Sequence, residues 1–549
     1  MEDDPPPLKA PPPARASQTR TPLVAETALL IAPCLYAVLA LAHRGCAYEA
    51  SIFGILLLVT MASLHNQSAY IARQTRRYRP NADAGLATGL LLPPMVLSSM
   101  ILAIPDGTMF TYLIPLLRLS IWFNLFEALP VVTRGRPKSW KVLWMSGVLL
   151  LISRQMTASY GISVHPRMGI LGLAVFKVVL RLIVTWLETS FTFGEALVVA
   201  QTLSLLFLDA VLSSVTKLDI SRMPIVLVVG RSELNVFMHA LLFGMLMIGM
   251  VLAPLLRRVS STRAEGNQRM FVGLSLGFYV ATVALVLFVI APWTALCLGT
   301  NPFMWTIDFV FTPEHNRLLI AGFWASVIAL GVTVAYQKFP TNTNSTSLNL
   351  KRKYFHVLAT LMFIPGYILD PDFMHLAFSL ALSVLILFEY IRHFYVWPLG
   401  IYVQDFLAQF LDKRDCGPVI LSHLYLLVGC ALPVWLNRIP QQVILGGLSG
   451  MLTLGIGDTM ASIWGKRYGR TKWPGTLKSI EGTAAFVVSV LLACAVLSAI
   501  GATPPLGTAK WIRLGGCVGL SSLLEAVSDQ NDNLVIPLYT FALLHFSIA

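Results

Sequence analysis

The sequence predicts an all-α, polytopic integral membrane protein with roughly 14–17 transmembrane helices. Three observations predict it. First, a soluble globular chain carries about 25% charged residues, whereas this chain of 549 residues carries 12%, is 56% hydrophobic and has a mean hydropathy of +0.71. Second, apolar runs of about 20 residues, the length that crosses a bilayer as a helix, recur along nearly its whole length. Third, the cations gather in clusters separated by even numbers of such runs.

The elements follow in chain order. Residues 1–23, MEDDPPPLKAPPPARASQTRTPL, are rich in proline and have no apolar period, so they read as a disordered tail. The acidic start differs from the basic head of a signal peptide, so the first span is expected to be retained. Spans are expected near 24–43, 50–64, 86–104, 109–132, 141–160, 168–187, 193–215, 235–256, 271–298 and 316–337. Further spans are expected near 354–369, 373–391, 418–437, 442–458, 480–500, 511–527 and 533–548. We divide the chain into the tail, an N-terminal multi-span region (24–350) and a C-terminal catalytic region (351–549).

The net charge is +13. Its clusters lie at Arg73–Arg79, Arg134–Lys141, Arg257–Arg269, Lys351–Lys353 and Lys466–Lys478. Two, four, two and four expected spans separate them, so all five can face the cytosol, as basic loops do. No basic soluble domain exists to bind nucleic acid. The seven cysteines are scattered without a CxxC pair or zinc spacing and read as small buried hydrophobes.

The stretch from Leu454 to Thr483, LGIGDTMASIWGKRYGRTKWPGTLKSIEGT, is different in kind. It is expected to be a polar loop between two spans. It holds six glycines, two acids (Asp458, Glu481) and five cations (Lys466, Arg467, Arg470, Lys472, Lys478). Glycine frees backbone amides for phosphates, cations neutralise them, and carboxylates hold a metal, as a nucleoside triphosphate requires.

Given the expected topology, other polar residues of the last 200 positions reach the same leaflet. Lys353 and His356 open a span there, Glu389 and Arg392 end one, Asp458 ends another, and Asp529, Asp532 and Asn533 lie in the turn SDQNDN. Asp370 and Asp372 turn on the opposite side. Ionisable groups at membrane depth are functional candidates by default. Residues 399–411, LGIYVQDFLAQFL, have helical apolar spacing, with Gln404, Asp405 and Gln409 elsewhere on the wheel. They read as an interfacial helix, either admitting a lipid or merely connecting two spans.

These motifs carry a resemblance. GIGDTMASIWGKRYGRTKWPGTLKSIEGT resembles the CTP-binding signature of the dolichol kinase (CTP-dependent polyprenol kinase) family. RKYFH at Arg352–His356, LFEYIR at Leu387–Arg392, DKRDCGPVILSHLYLL at Asp412–Leu427 and LLEAVSDQNDNLVIPLY at Leu523–Tyr539 are similar to further family segments in the same order. The likeness is strong from Arg352 onward and looser upstream, where FTFGEAL at Phe191–Leu197 is familiar. The chain has neither a Walker GxxxxGK[ST] pattern nor a kinase HRD or DFG set.

The resemblance implies transfer of the γ-phosphoryl group of CTP to dolichol, with Mg²⁺ or another divalent cation, at the endoplasmic reticulum membrane and in the service of N-glycosylation. The implied CTP-binding residues are Gly455, Gly457, Asp458, Thr459, Gly465, Lys466, Gly469, Arg470, Thr471, Lys472, Trp473, Pro474, Gly475, Lys478, Glu481 and Gly482. Gly455, Gly457, Gly465 and Gly469 would let the backbone approach the phosphates. Asp458 and Asp532 would hold the metal. Asp529 or Glu481 would position the dolichol hydroxyl or take its proton, with His356 as a further proton acceptor or phosphate donor.

Local alternatives remain. Asp458 could be a helix cap, and Lys478–Glu481 and Glu389–Arg392 could be i,i+3 pairs. Two other functions also stay open. A phosphatidate cytidylyltransferase-like enzyme would release pyrophosphate instead of CDP. A transporter would place its polar groups nearer mid-membrane. Asn66 and Asn344 lie in glycosylation sequons that the topology puts at the cytosolic side.

Overall fold

A computed structural model describes residues 20–64, 77–80, 82–105, 108–132, 166–217, 232–312, 316–338, 345–408, 415–437 and 443–548. The expected tail (all but its last four residues), the span at 141–160, most of the first two basic clusters and the asparagines of both sequons lie outside the described residues. Among the described residues the only pairing of strand type is the isolated bridge between Lys472 and Ser479.

The N-terminal region comprises α1 (Arg20–His43), α2 (Ala47–Leu64), α3 (Leu86–Ala103), α4 (Thr108–Val132), α5 (Pro166–Trp186) and α6 (Phe193–Lys217). Gly45, at φ +85°, turns α1 into α2, and Arg44 donates to the carbonyls of Ile101 and Ile104 at the end of α3. Almost every residue of α3 is buried. Apolar burial alone would leave its partners free to rotate, and amides fix them. Asn124 of α4 donates to the Leu90 carbonyl at 2.8 Å, and Gln201 of α6 donates to Asn124 Oδ1 at 2.8 Å and to the Gly89 carbonyl at 3.1 Å. Such bonds are strong where water cannot compete.

The central region contains α7 (Glu233–Ala264), α8 (Gln268–Leu285), α9 (Ala291–Leu298), α10 (Pro302–Phe311) and α11 (Arg317–Lys338). A π-helical turn, Val286–Ile290, makes α8 and α9 one continuous rod. The expected span at 271–298 is this rod.

The last region contains α12 (Ser345–Leu369), α13 (Pro371–His393), α14 (Gly400–Ala408), α15 (Leu421–Leu436), α16 (Ile444–Gly447), α17 (Thr459–Tyr468), α18 (Ile480–Ala499), α19 (Thr508–Val527) and α20 (Asp532–Ile548). Asp370 caps α13 by accepting from Phe373 N at 2.8 Å, and it pairs with Arg317 at 2.6 Å. The last helix, α20, packs against α3, α15 and α19. One apolar core therefore runs through both the N-terminal and C-terminal regions. Gly429 of α15 permits this approach, because a methyl group there would lie 2.0 Å from the Asn533 carbonyl oxygen.

Eleven of the described segments are long and apolar enough to cross a membrane, and α10, α15 and α20 are shorter apolar helices. The protein is an all-α, multi-pass membrane protein. Residues 400–408 of the amphipathic segment form α14, with Ile401, Tyr402 and Phe406 exposed, and 409–411 lie outside the described residues. Its polar side is tied inward, since Arg392 donates to Gln404 Oε1 at 3.0 Å.

The structure corrects one expectation. Residues 454–483 are not a loop throughout. Met451–Asp458 is π-helical and runs straight into α17, so only residues 469–479 are non-helical. Asp458 does not stop the helix: its backbone is helical, and its side chain makes no cap but pairs with Lys353 of α12. π-Turns recur at functional sites because they displace side chains from the regular helical register.

Candidate active site

The glycines of this segment build its shape. A Cβ on Gly455 would lie 1.8 Å from Thr360 Oγ1 of α12, and one on Gly457 would lie 2.6 Å from the Phe486 ring of α18. These two glycines, expected to face phosphates, instead admit neighbouring helices. Gly455→Ala is therefore expected to cost about 1–3 kcal/mol of stability, as overpacking does. A lower melting temperature in detergent would register it, and an unchanged one would refute this packing role. Gly465, Gly469 and Gly482 close around Ser479 in the same way. Ser479 caps α18 by accepting from Gly482 N at 3.2 Å.

Residues 471–480 form a small hairpin. Trp473 N donates to Lys478 O at 3.0 Å, and Ile480 N donates to Thr471 O at 2.9 Å. Its tip has the layout of a type II turn, with Pro474 second, Gly475 third at φ +76°, and Thr476 N donating to Trp473 O at 3.1 Å. Trp473 Nε1 anchors it on Thr483 Oγ1 at 2.9 Å. Glu481 accepts from Thr471 N at 3.0 Å, so its carboxylate secures the hairpin base. Lys466, Arg467, Arg470 and Lys472 are exposed around it.

The hairpin delivers Lys478 into the bundle. Its ammonium donates to the carboxylate and the carbonyl of Glu525, in the last turn of α19. The i,i+3 partner Glu481 is not used. Burial works against the charge of Lys478, but Glu525 and then Asp532 outweigh it and hold its pKa above the ordinary lysine value.

Asp458, Glu525 and Asp532 converge there, each offering a carboxylate oxygen within 4.8 Å of the others. Lys353 forms an ion pair with Asp458, and His356 Nε2 stands 3.7 Å from Asp458 Oδ2. His356 Nδ1 is 2.8 Å from the Arg352 carbonyl. A carbonyl only accepts, so that contact assigns the proton to Nδ1 and leaves a lone pair on Nε2. Nε2 is buried without a hydrogen-bond partner, as is the hydroxyl of the adjacent Thr459.

Three carboxylates against two lysines leave a negative centre. Oxygens on opposite sides of one Mg²⁺ lie about 4.2 Å apart, twice the bond length of ~2.1 Å. The all-oxygen donor set therefore fits a hard divalent cation after small side-chain movement. Beside it lies the reverse polarity. Partial burial, followed by repulsion from Lys353 and Arg352, holds Lys466 below the ordinary lysine pKa. An anion placed among these three cations would relieve that repulsion.

Of the expected site residues, Asp458, Thr459, Lys478, Asp532 and His356 come together, and the hairpin residues frame them. Asp529 does not join the three converging carboxylates. It is exposed and acts on Asp83, whose carboxyl burial and then this second charge raise, against two opposing backbone hydrogen bonds. Glu389 and Arg392 form a buried pair at 2.7 Å that also braces the Pro418 carbonyl. Sequence reasoning missed Glu525 and gave Lys353 no role. The signal for Glu525 was an acid inside an apolar span, which is costly without a function.

The protein-family profile described as Dolichol kinase matches residues 140–441. Dolichol kinase EVAN of Arabidopsis thaliana is 33% identical over 414 residues, covering 72% of each chain. The Homo sapiens dolichol kinase is 32% identical over 413 residues, again 72% of each chain. The Saccharomyces cerevisiae dolichol kinase is 36% identical over 244 residues, 44% of each chain. No solved structure gives a significant match.

Proposed function

The chain belongs to the dolichol kinase family, and from this premise we propose that it transfers the γ-phosphoryl group of CTP to the hydroxyl of dolichol. The products are dolichyl phosphate, the lipid carrier of N-glycan assembly, and CDP. The observation that carries the reading is the convergence of Asp458, Glu525 and Asp532 beside Lys353, Lys478 and His356 at one end of the bundle. We place that end at the cytosolic face of the endoplasmic reticulum membrane, where CTP is available.

Phosphoryl transfer asks for positioning and charge stabilisation more than for covalent chemistry. Asp458, Glu525 and Asp532 would hold Mg²⁺, which would supply positive charge to offset that of the phosphates. Lys353 and Lys478 lie at this centre, and Lys466 with Arg352 extends the positive surface outward for the distal phosphates. The dolichol hydroxyl attacks the γ-phosphorus, the bond to the β-phosphate oxygen breaks, and CDP leaves. The hydroxyl proton passes to the bare Nε2 of His356. The exposed apolar face of α14 would lie on the bilayer surface where the lipid enters.

The decisive assay incubates membranes with dolichol, Mg²⁺ and CTP labelled at the γ-phosphate. Label is expected in the lipid, with CDP released in equal amount. Pyrophosphate release with label absent from the lipid would replace this reading with cytidylyl transfer.

A further inference from the structure

The N-terminal region carries a buried ion pair whose bonds lead to the catalytic turn. In TFGE, Thr192 and Glu195 form a capping box at the start of α6. Glu195 N donates to Thr192 Oγ1 at 3.1 Å, and Thr192 N donates to Glu195 Oε2 at 3.1 Å. Helix capping requires no more than this. Glu195 nevertheless pairs with Arg79 at 2.7 Å, with the two side chains 0% and 3% exposed. Its Oε1 also accepts from Asn531 N at 2.8 Å. Asn531 is in turn the cap of α20, since its Oδ1 accepts from Asn533 N at 3.1 Å. One carboxylate therefore holds the first turns of two helices, where the helix dipoles favour negative charge.

The neighbouring residue is held as well. Thr192 Oγ1 donates to Gln530 Oε1 at 2.5 Å, and Gln530 Nε2 donates to the Asp83 carbonyl at 3.2 Å. Glycines bring the three segments into contact. A Cβ on Gly194 would lie 2.0 Å from the Gly85 carbonyl oxygen, and one on Gly85, at φ +65°, would lie 2.3 Å from Gln530 Oε1. Asp532, next in the chain after Asn531, supplies one of the three converging carboxylates.

We infer that Arg79 and Glu195 are positioning residues of the active site: by gripping the Asn531 backbone they hold Asp532 at its station beside Asp458 and Glu525. This rests on the metal-binding reading proposed above. It gives the N-terminal region a part in catalysis that its sequence does not announce.

The test compares full-length Glu195→Gln, Arg79→Lys and Asp532→Asn with wild type in membranes. The readouts are the Mg²⁺ concentration for half-maximal rate, KM for dolichol, and melting temperature in detergent. Outer-shell partners of metal ligands typically contribute 10–100-fold. Glu195→Gln is expected to raise the Mg²⁺ requirement about tenfold, while KM for dolichol stays within about twofold. A pair that only stabilises the fold would lower the melting temperature and leave the Mg²⁺ requirement of the surviving enzyme unchanged, which overturns the inference. If Glu195→Gln does not accumulate, Arg79→Lys is read in the same way, because it keeps the charge and loosens the grip on the Glu195 carboxylate. Asp532→Asn separates the two levels. A wild-type Mg²⁺ requirement in that variant sinks the site reading and this inference together. A shift there without one in Glu195→Gln or Arg79→Lys sinks this inference alone.

Discussion

Asp458→Asn is expected to lower phosphoryl transfer by about 10²–10³-fold, the loss that follows removal of one preorganised electrostatic group. The substitution keeps the volume of the side chain and one acceptor oxygen, so packing against α12 and α18 should survive. Charge is what it removes. Asp458 is 7% exposed, is paired with Lys353, and has a carboxylate oxygen within 4.8 Å of those of Glu525 and Asp532. An amide is a weaker ligand for a hard cation than a carboxylate. It also leaves Lys353 without its partner and removes the charge facing His356 Nε2. The rate should be measured at saturating CTP and Mg²⁺, normalised to protein in the membrane, with the exposed Glu265→Gln as control. Activity within about threefold of wild type, a change of only ~0.7 kcal/mol in the barrier, would remove Asp458 from the mechanism.

How legible this site was depends on which physical signal each residue left in the chain. The spans were legible because hydropathy is additive over 20 residues and needs no partner. Asp458, Lys478 and Asp532 were legible as charges at a span end, in a polar loop and in a polar turn between apolar spans. The helical state of 454–468 was not, because glycines and charges at that density normally mark a loop. Here each is answered from outside its own segment: Gly455 by Thr360, Gly457 by Phe486, Asp458 by Lys353. Lys478 shows the same limit. Spacing offers Glu481 as its partner, yet the hairpin turns Glu481 towards Thr471 N and Lys478 towards Glu525, 47 residues away. A single sequence records local spacing, and these contacts are tertiary. The link from Glu195 to Asn531 spans 336 residues, so the motif FTFGEAL could be noticed but not given a purpose.

Lys478 and Glu525 offer a sharper separation of stability from catalysis. Removing one member of a buried pair costs about 3–5 kcal/mol. The Lys478 side chain is 33% exposed and Glu525 7%, so screening brings the expected loss for Lys478→Met to about 2 kcal/mol. The cause is specific: Glu525 would then face Asp458 and Asp532 with only Lys353 left to balance three carboxylates. The Glu525 carbonyl at the end of α19 would also lose its donor. Adding Glu525→Gln removes the uncompensated charge, so the double variant should recover most of the lost melting temperature, with a coupling of about 1 kcal/mol or more. Activity should not return with it. If Lys478 steadies the transferring phosphoryl group, the single variant stays down by about 10²-fold for want of the cation, and the double variant by at least as much, since it also lacks one of the three carboxylates proposed to hold the metal. The opposite pattern, recovery of stability and rate together, would make Lys478 only a counter-charge for Glu525, take Glu525 out of the metal site, and leave the phosphate contacts to Lys353 and Lys466.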